Sequence, residues 1–282
     1  MRHTTLFWGV VVAAGVVAAP RTQTEPSVEQ LLARAGAYVR DLEVRMAMVV
    51  SDEVYHQRAI TRGRSTSRTI QSEMLFWWLD QDHVWISVRN VLVVDKRPVA
   101  DSKDRLERAL QTAEQPADGG DAVVSRSTRL RSLQEESARF DIGSVRRTTS
   151  NPTEVLQYLL PENQEQFAFT REGEHRVNGT RAWKVTFREQ RRPTVLRFDS
   201  LDVPTSGAVW VRVDDGVVVR TERRVAVPRF DADVTVDFQR DPKLMLWVPT
   251  RMEESYGNIV RCSSDYSNYR QFETSGRILT PK

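Results

Sequence analysis

Seven tryptophans are the most conspicuous residues in this chain that could take part in recognition. Trp8 sits in an N-terminal apolar run. Trp77, Trp78, Trp85, Trp183, Trp210 and Trp247 fall in stretches that read as strands. Flat apolar rings on one sheet face can line a pocket for an apolar ligand. The same rings can equally build ordinary core, each burying ~150–250 Å². Trp78, Trp85, Trp183, Trp210 and Trp247, with Phe238, are the candidate ligand-lining residues.

Residues suited to bond-making chemistry are sparse. His3, His56, His83 and His175 show no metal-ligand spacing, and HExxH is absent, so neither a metal site nor a cofactor is expected. No GxSxG elbow prepares a serine nucleophile. Glu135-Glu136, Asp214-Asp215 and Glu253-Glu254 are sequence neighbours, which on a strand point to opposite faces, so they read as turn-forming or solvated groups. Zinc-type Cys/His spacing and phosphate-cradling glycine loops are missing. No catalytic residue stands out, and an enzyme is not expected. Cys262 is the single cysteine; it can make no internal disulfide and is expected to lie buried in a strand.

The elements that would position these residues follow from periodicity. Val28, Leu31, Leu32, Ala35, Val39, Leu42, Met46 and Val49 share one face of a helix expected over Ser27–Val50, opened by a Ser27/Gln30 capping box. Strands are expected at Val54–Ile60, Thr69–Leu79 and Val84–Asp95, with turns at Gly63 and at Asp80-Gln81-Asp82. A helical layer is expected over about 100–165: Asp101–Glu114, then roughly Val123–Phe140 ended by Gly143, then Pro152–Leu160 capped by Asn151 and stopping before Pro161. Phe167–Arg171, Ala182–Glu189 and Thr194–Phe198 read as short strands. Asn178-Gly179 reads as a hairpin turn between strands. Ala208–Val213 and Val217–Val227 flank a hairpin turn at Asp214-Asp215-Gly216. Ala232, Val234, Val236 and Phe238 alternate with polar residues, which places one face in a core and one in water. Met245–Tyr256 and Asp265–Thr274 complete the set, with Tyr266 and Phe272 continuing the inward face.

The N-terminus has a short basic start, an apolar run from Leu6 to Ala19 and small residues after it. The run is shorter than the ~20 residues a membrane-spanning helix needs. This is the signal-peptide pattern, with the cut expected before Ala19, an uncleaved anchor being the alternative. The expected organisation is a signal peptide over 1–18, a linker over 19–26, a single domain over 27–275 and a tail over 276–282. The mature chain is expected to be periplasmic or secreted, without a transmembrane segment. Thirty-six arginines against five lysines interleave with Asp and Glu, for a net charge of +3. That reads as a mixed-sign surface and not as a nucleic-acid patch; the densest basic clusters are Arg188–Arg192 and Arg220–Arg224.

The fold class these elements give is α+β, a curved antiparallel sheet, open as a half-barrel, covered on one side by helices. The stretches GAVWVRVDDGVVVRTE, ADVTVDF, LMLWVPTRMEESY and SDYSNYRQF, in that order, resemble the C-terminal half of proteins with the outer-membrane lipoprotein carrier fold. The opening helix and its exit into strands fit as well, and the LLARAGAYV opening is similar to that of uncharacterised exported bacterial proteins. The resemblance implies an exported envelope binding or carrier protein holding a lipid or a lipoprotein acyl chain between sheet and helices. The alternative it leaves open is a periplasmic interaction or sensor domain on the same fold, with an envelope protein as partner, a packed core and no ligand.

Overall fold

The computed structural model describes residues 25–79, 84–100, 102, 105–106, 132, 134–147, 151–198, 201–227 and 230–272. The expected signal peptide, the Asp80-Gln81-Asp82 turn, most of the two helices expected over 101–140 and the C-terminal tail lie outside them.

Helix α1 (Val28–Arg45) begins where its capping box predicts. Ser27 Oγ accepts the Gln30 N–H at 3.2 Å, and Gln30 Oε1 accepts the Ser27 N–H at 3.0 Å. Leu31, Leu32, Ala35, Val39 and Leu42 form its buried face. The helix was expected to run to Val50 and ends at Arg45 instead. Met48 turns the chain with φ 61°, and the β-branched pair Val49-Val50 enters a strand.

That strand, β1 (Val49–Thr61), is followed by β2 (Arg64–Leu79), β3 (Val84–Val94) and the short β4 (Arg97–Pro98). Then come β5 (Phe167–Val177), β6 (Thr180–Glu189), β7 (Arg197–Phe198), β8 (Leu201–Asp202) and β9 (Thr205–Val211). The series ends with β10 (Val218–Val227), β11 (Phe230–Arg240), β12 (Trp247–Tyr256) and β13 (Val260–Gln271). Eleven of them form one antiparallel sheet in the order β4-β3-β2-β1-β13-β12-β11-β10-β9-β6-β5, while β7 and β8 pair only with each other. The last strand therefore inserts beside the first and joins the two halves of the chain. Asn178-Gly179 makes its hairpin with φ of 48° and 82°, the positive pair that a two-residue turn matching strand twist requires.

Laid flat, eleven strands would span about 48 Å at ~4.8 Å per interval. Yet a single core cluster joins Leu31 and Val39 of α1 to Trp85 on β3 and to Phe167 on β5. Strands from opposite ends of the sheet reach one helix about 10 Å wide only if the sheet curls around it.

Four further expectations need correction. The segment Glu154–Leu159 is a 3₁₀ helix that starts after Thr153 without a side-chain cap, and Pro161 opens the short helix α2 (Pro161–Gln164) where a stop was expected. Asn151 Oδ1 accepts from the Thr153 N–H and hydroxyl, an Asx-type turn and not a helix cap. Thr194–Phe198 contributes only Arg197–Phe198 to a two-residue ladder. Phe272 leaves the inward face it was expected to share with Tyr266. A register shift opposite Val50/Asp52, with Asn268 at φ 50°, reverses the alternation, so Tyr269 packs inside and Phe272 joins Val50 and Leu75 on the other face.

The β9–β10 turn is seated on α1. Gly216 has φ +72°, and a Cβ there would fall 2.2 Å from the Arg34 carbonyl oxygen, while the Arg34 guanidinium donates to the Val213 carbonyl. Gly216→Ala is expected to destabilise the fold by at least about 1–3 kcal/mol from the left-handed backbone alone. Urea unfolding reads this as a lower midpoint at constant slope. An unchanged midpoint would mean that the turn and helix are not in contact.

Candidate functional site

The candidate ligand-lining residues divide among different surroundings. Trp85 and Phe238 are buried in the cluster around α1. Trp210 is buried in a second cluster with Val177, Ala182 and Val219, flanked by Lys184 and Arg220. Trp183 is half-buried against the α1 cluster under the Arg171 guanidinium at 4.8 Å, and Trp247 bridges both clusters under Arg212 at 5.3 Å. Trp78 lies on β2, its side chain outside the described residues. Trp85 and Phe238 thus share one cluster with α1, whereas Trp210 belongs to another.

On the concave side, the chain packs aromatic side chains against one another. Tyr158 stacks on Phe167 at 4.6 Å and meets Phe187 edge-on at 5.5 Å, beneath α1. Beside these rings the inward face carries charge. Glu53 on β1 and Arg89 on β3 are 1% and 7% exposed and form a two-pronged pair, 2.6 and 2.9 Å. Ser72 and Ser264 hydroxyls donate to the same carboxylate at 2.6 and 2.7 Å. The Arg89 guanidinium lies 4.1 Å over the Tyr55 ring. Tyr55 and Tyr256 each donate to Glu254, at 2.8 and 2.7 Å, and Arg147 Nε donates to the Tyr55 oxygen at 2.9 Å. Arg147 also reaches Gln57 and Asp141. Further along, Arg223 donates to both oxygens of Glu154 at 2.8 Å, and Tyr158 donates to one at 3.0 Å.

The electrostatics follow from this arrangement. Burial alone would raise the Glu53 carboxyl, but the Arg89 charge and the hydroxyl donors outweigh it and hold it below the usual value. Burial, reinforced by Glu254, pushes the Tyr55 phenol well up. Burial and Glu254 likewise push the Cys262 thiol to about 11, so at neutral pH it is a protonated side chain packed in β13.

Several of these residues carry a signal that the sequence reading passed over. Glu53, Tyr55, Gln57 and Ala59 share the inward parity of β1, so a buried carboxylate there is legible by period two. Glu253-Glu254 is expected from the sequence to be turn-forming or solvated; the adjacent residues do point to opposite faces, but they lie within β12, and only Glu253 is solvated, Glu254 being buried. Arg147 and Glu154 lie in irregular segments, where no periodicity marks them. Among the described residues, no group of three or more His, Cys, Asp or Glu is placed to hold a metal, and no helix is long and apolar enough to cross a membrane.

Glu53→Gln is expected to cost about 3–5 kcal/mol by leaving Arg89 buried without its counter-charge, and replacing both residues by Leu and Met should recover most of it. Because Glu53 is held below its ordinary value, its contribution is complete above the unfolded value of ~4.3 and is lost as pH falls through the lower folded one. Acid unfolding should therefore lose one cooperative component in the double variant. Wild-type stability in Glu53→Gln would contradict the pairing.

No protein-family model matches the sequence, and no curated protein matches it. Solved structures share its outline at low identity. A DUF1329 family protein from Desulfovibrio piger is 13% identical with a TM-score of 0.45, over 89% of this chain and 95% of that one. A domain described as an outer membrane lipoprotein-sorting protein from Vibrio parahaemolyticus is 8% identical with a TM-score of 0.38, over 90% and 96%. A LolA superfamily protein from Nitrosomonas europaea is 8% identical with a TM-score of 0.37, over 91% and 99%.

Proposed function

We propose that this protein is an exported binding module of the bacterial envelope, of carrier-like build, whose recognition falls to its surface because its own chain fills its interior. The export reading rests on the N-terminal pattern of a basic start, an apolar run and small residues. The observation that carries the surface reading is the content of the concave side: α1, the Glu154–Leu160 segment and the Glu53–Arg89 pair occupy the place where a carrier would hold an acyl chain. An acyl chain is a poor neighbour for that pair, since a charge brought against hydrocarbon keeps only its existing partners. The aromatic candidates, Trp85 and Phe238 among them, then serve as core and hold the curl of the sheet.

Native mass spectrometry of protein purified from an envelope fraction tests this directly. The expected result is a mass equal to that of the mature chain. A stoichiometric acyl adduct that survives gel filtration would overturn the reading in favour of a lipid or lipoprotein carrier.

A further inference from the structure

The strand registers order the outer face into rows running across the sheet. Arg58 on β1, Arg261 on β13, Arg224 on β10 and Arg188 on β6 fall on one such row, all exposed. Ser255, Ser206 and Asp233 stand between them on the same row. The next row is mostly short: Thr69, Ser263, Thr235, Thr186 and Thr170, with His56, Glu253, Glu222 and Ala208 interposed. Beyond it the row is long and charge-paired. Arg251 there binds Asp265 at 3.0 Å and Arg220 binds Asp237 at 2.6 Å, ahead of Trp210 and Lys184.

A row of short side chains between two rows of long ones makes a trough. Two grooves of about 560 and 690 Å³ mark it, one over β2 to β11 and one over β11 to β5, meeting at Asp233 and Thr235. Together they cross nine strands, about 38 Å at ~4.8 Å per interval. Arg58 and Arg261 sit directly opposite each other, a like-charge pairing that costs stability, and among the described residues neither has a carboxylate partner. Among the described residues Arg188 has none either, whereas exposed Arg224 lies 3.7 and 3.9 Å from Asp231 and Asp233, long pairs that water screens.

The chemistry of the trough narrows its occupant. Except at the edge strand β5, it runs over strands whose backbone groups are already used on both sides, so an extended peptide lying across it gains no ladder bonds there. Its arginines are sparse: Arg261 and Arg224 lie about 14 Å apart and Arg224 and Arg188 about 10 Å, against ~3.4 Å per phosphate along a nucleic-acid strand. The short row holds no Phe, Tyr or Trp on which bases could stack. What it offers is hydroxyls on five of its nine strands, carboxylates that accept (Asp233, Glu222, Glu253) and guanidinium groups at intervals that donate. The strand step is close to the length of one sugar ring in an extended chain.

We propose that the trough across the outer face binds a linear polysaccharide bearing widely spaced acidic groups, with Arg58/Arg261 and Arg188/Arg224 as its two anion contacts. The proposal names the partner class for the surface recognition argued above and rests on that reading. The test is fluorescence anisotropy of labelled hyaluronan oligosaccharides, which carry a carboxylate on every second sugar, with the full mature chain at two salt concentrations. Binding should weaken with salt, and Arg58→Ala/Arg261→Ala and Arg188→Ala/Arg224→Ala should each lower affinity at least about tenfold. Both double variants are surface changes, and urea midpoints no lower than that of the wild type will show that they fold. Equal or tighter binding of poly-L-glutamate or single-stranded DNA, equal binding of neutral dextran, no binding of hyaluronan, or no loss in the double variants would each overturn the proposal. An acyl adduct in the mass spectrum would instead sink the filled-interior reading while leaving sugar binding measurable.

Discussion

A carboxylate taken out of water must be given its counter-charge and its hydrogen bonds, and Glu53 receives both. Its partners come from both sides of β1: Ser72 from adjacent β2, Arg89 from β3 one strand further on, and Ser264 from β13. A shift of one residue in any of those registers would turn a donor to the other face and strand the charge. The pair thus ties together the seam where the last strand meets the first. Net stabilisation from such a buried pair is small, because desolvation offsets most of the attraction. Its larger effect is to make alternative registers costly.

The same logic extends along the concave side. Glu154 is brought by a 3₁₀ turn and Arg223 by β10; Arg147 arrives from a loop and meets Tyr55 and Gln57 of β1. These contacts fix irregular segments that periodic apolar packing could not fix alone. Apolar burial supplies the bulk of the driving force, through Leu31, Val39, Phe76, Tyr158 and Phe238. The charged pairs supply position. Along the trough the outer face has the complementary character, with short hydroxyl side chains between longer charged ones, while its apolar clusters around Leu75 and Trp210 lie to either side.

Much of this architecture is legible in the sequence, and the parts that are not have identifiable causes. The capping box placed the start of α1 because two side chains and two backbone groups define it locally. The alternation over Ala232–Phe238 placed β11 because one face is buried and the other wet. The end of α1 was misplaced because Met46 and Val49 continue a helical apolar pattern while the backbone reverses at Met48. The 3₁₀ turn before Pro161 was read as α-helix because the two share a short apolar spacing. The buried pairs were invisible for a different reason: Glu53 and Arg89 meet across two strands, and only the register brings them together. The tryptophans were conspicuous by type, but type alone does not say whether a ring lines a space or fills one.

If the interior is one body with the sheet, α1 cannot leave without unfolding the rest. Native-state hydrogen exchange measures this most directly. The amides of Leu31–Leu42 should open with the same free energy as those of β1 and β13, at the global value. Exchange of α1 at a free energy several kcal/mol below that of the sheet would show a displaceable helix over a fillable space, and would contradict the account.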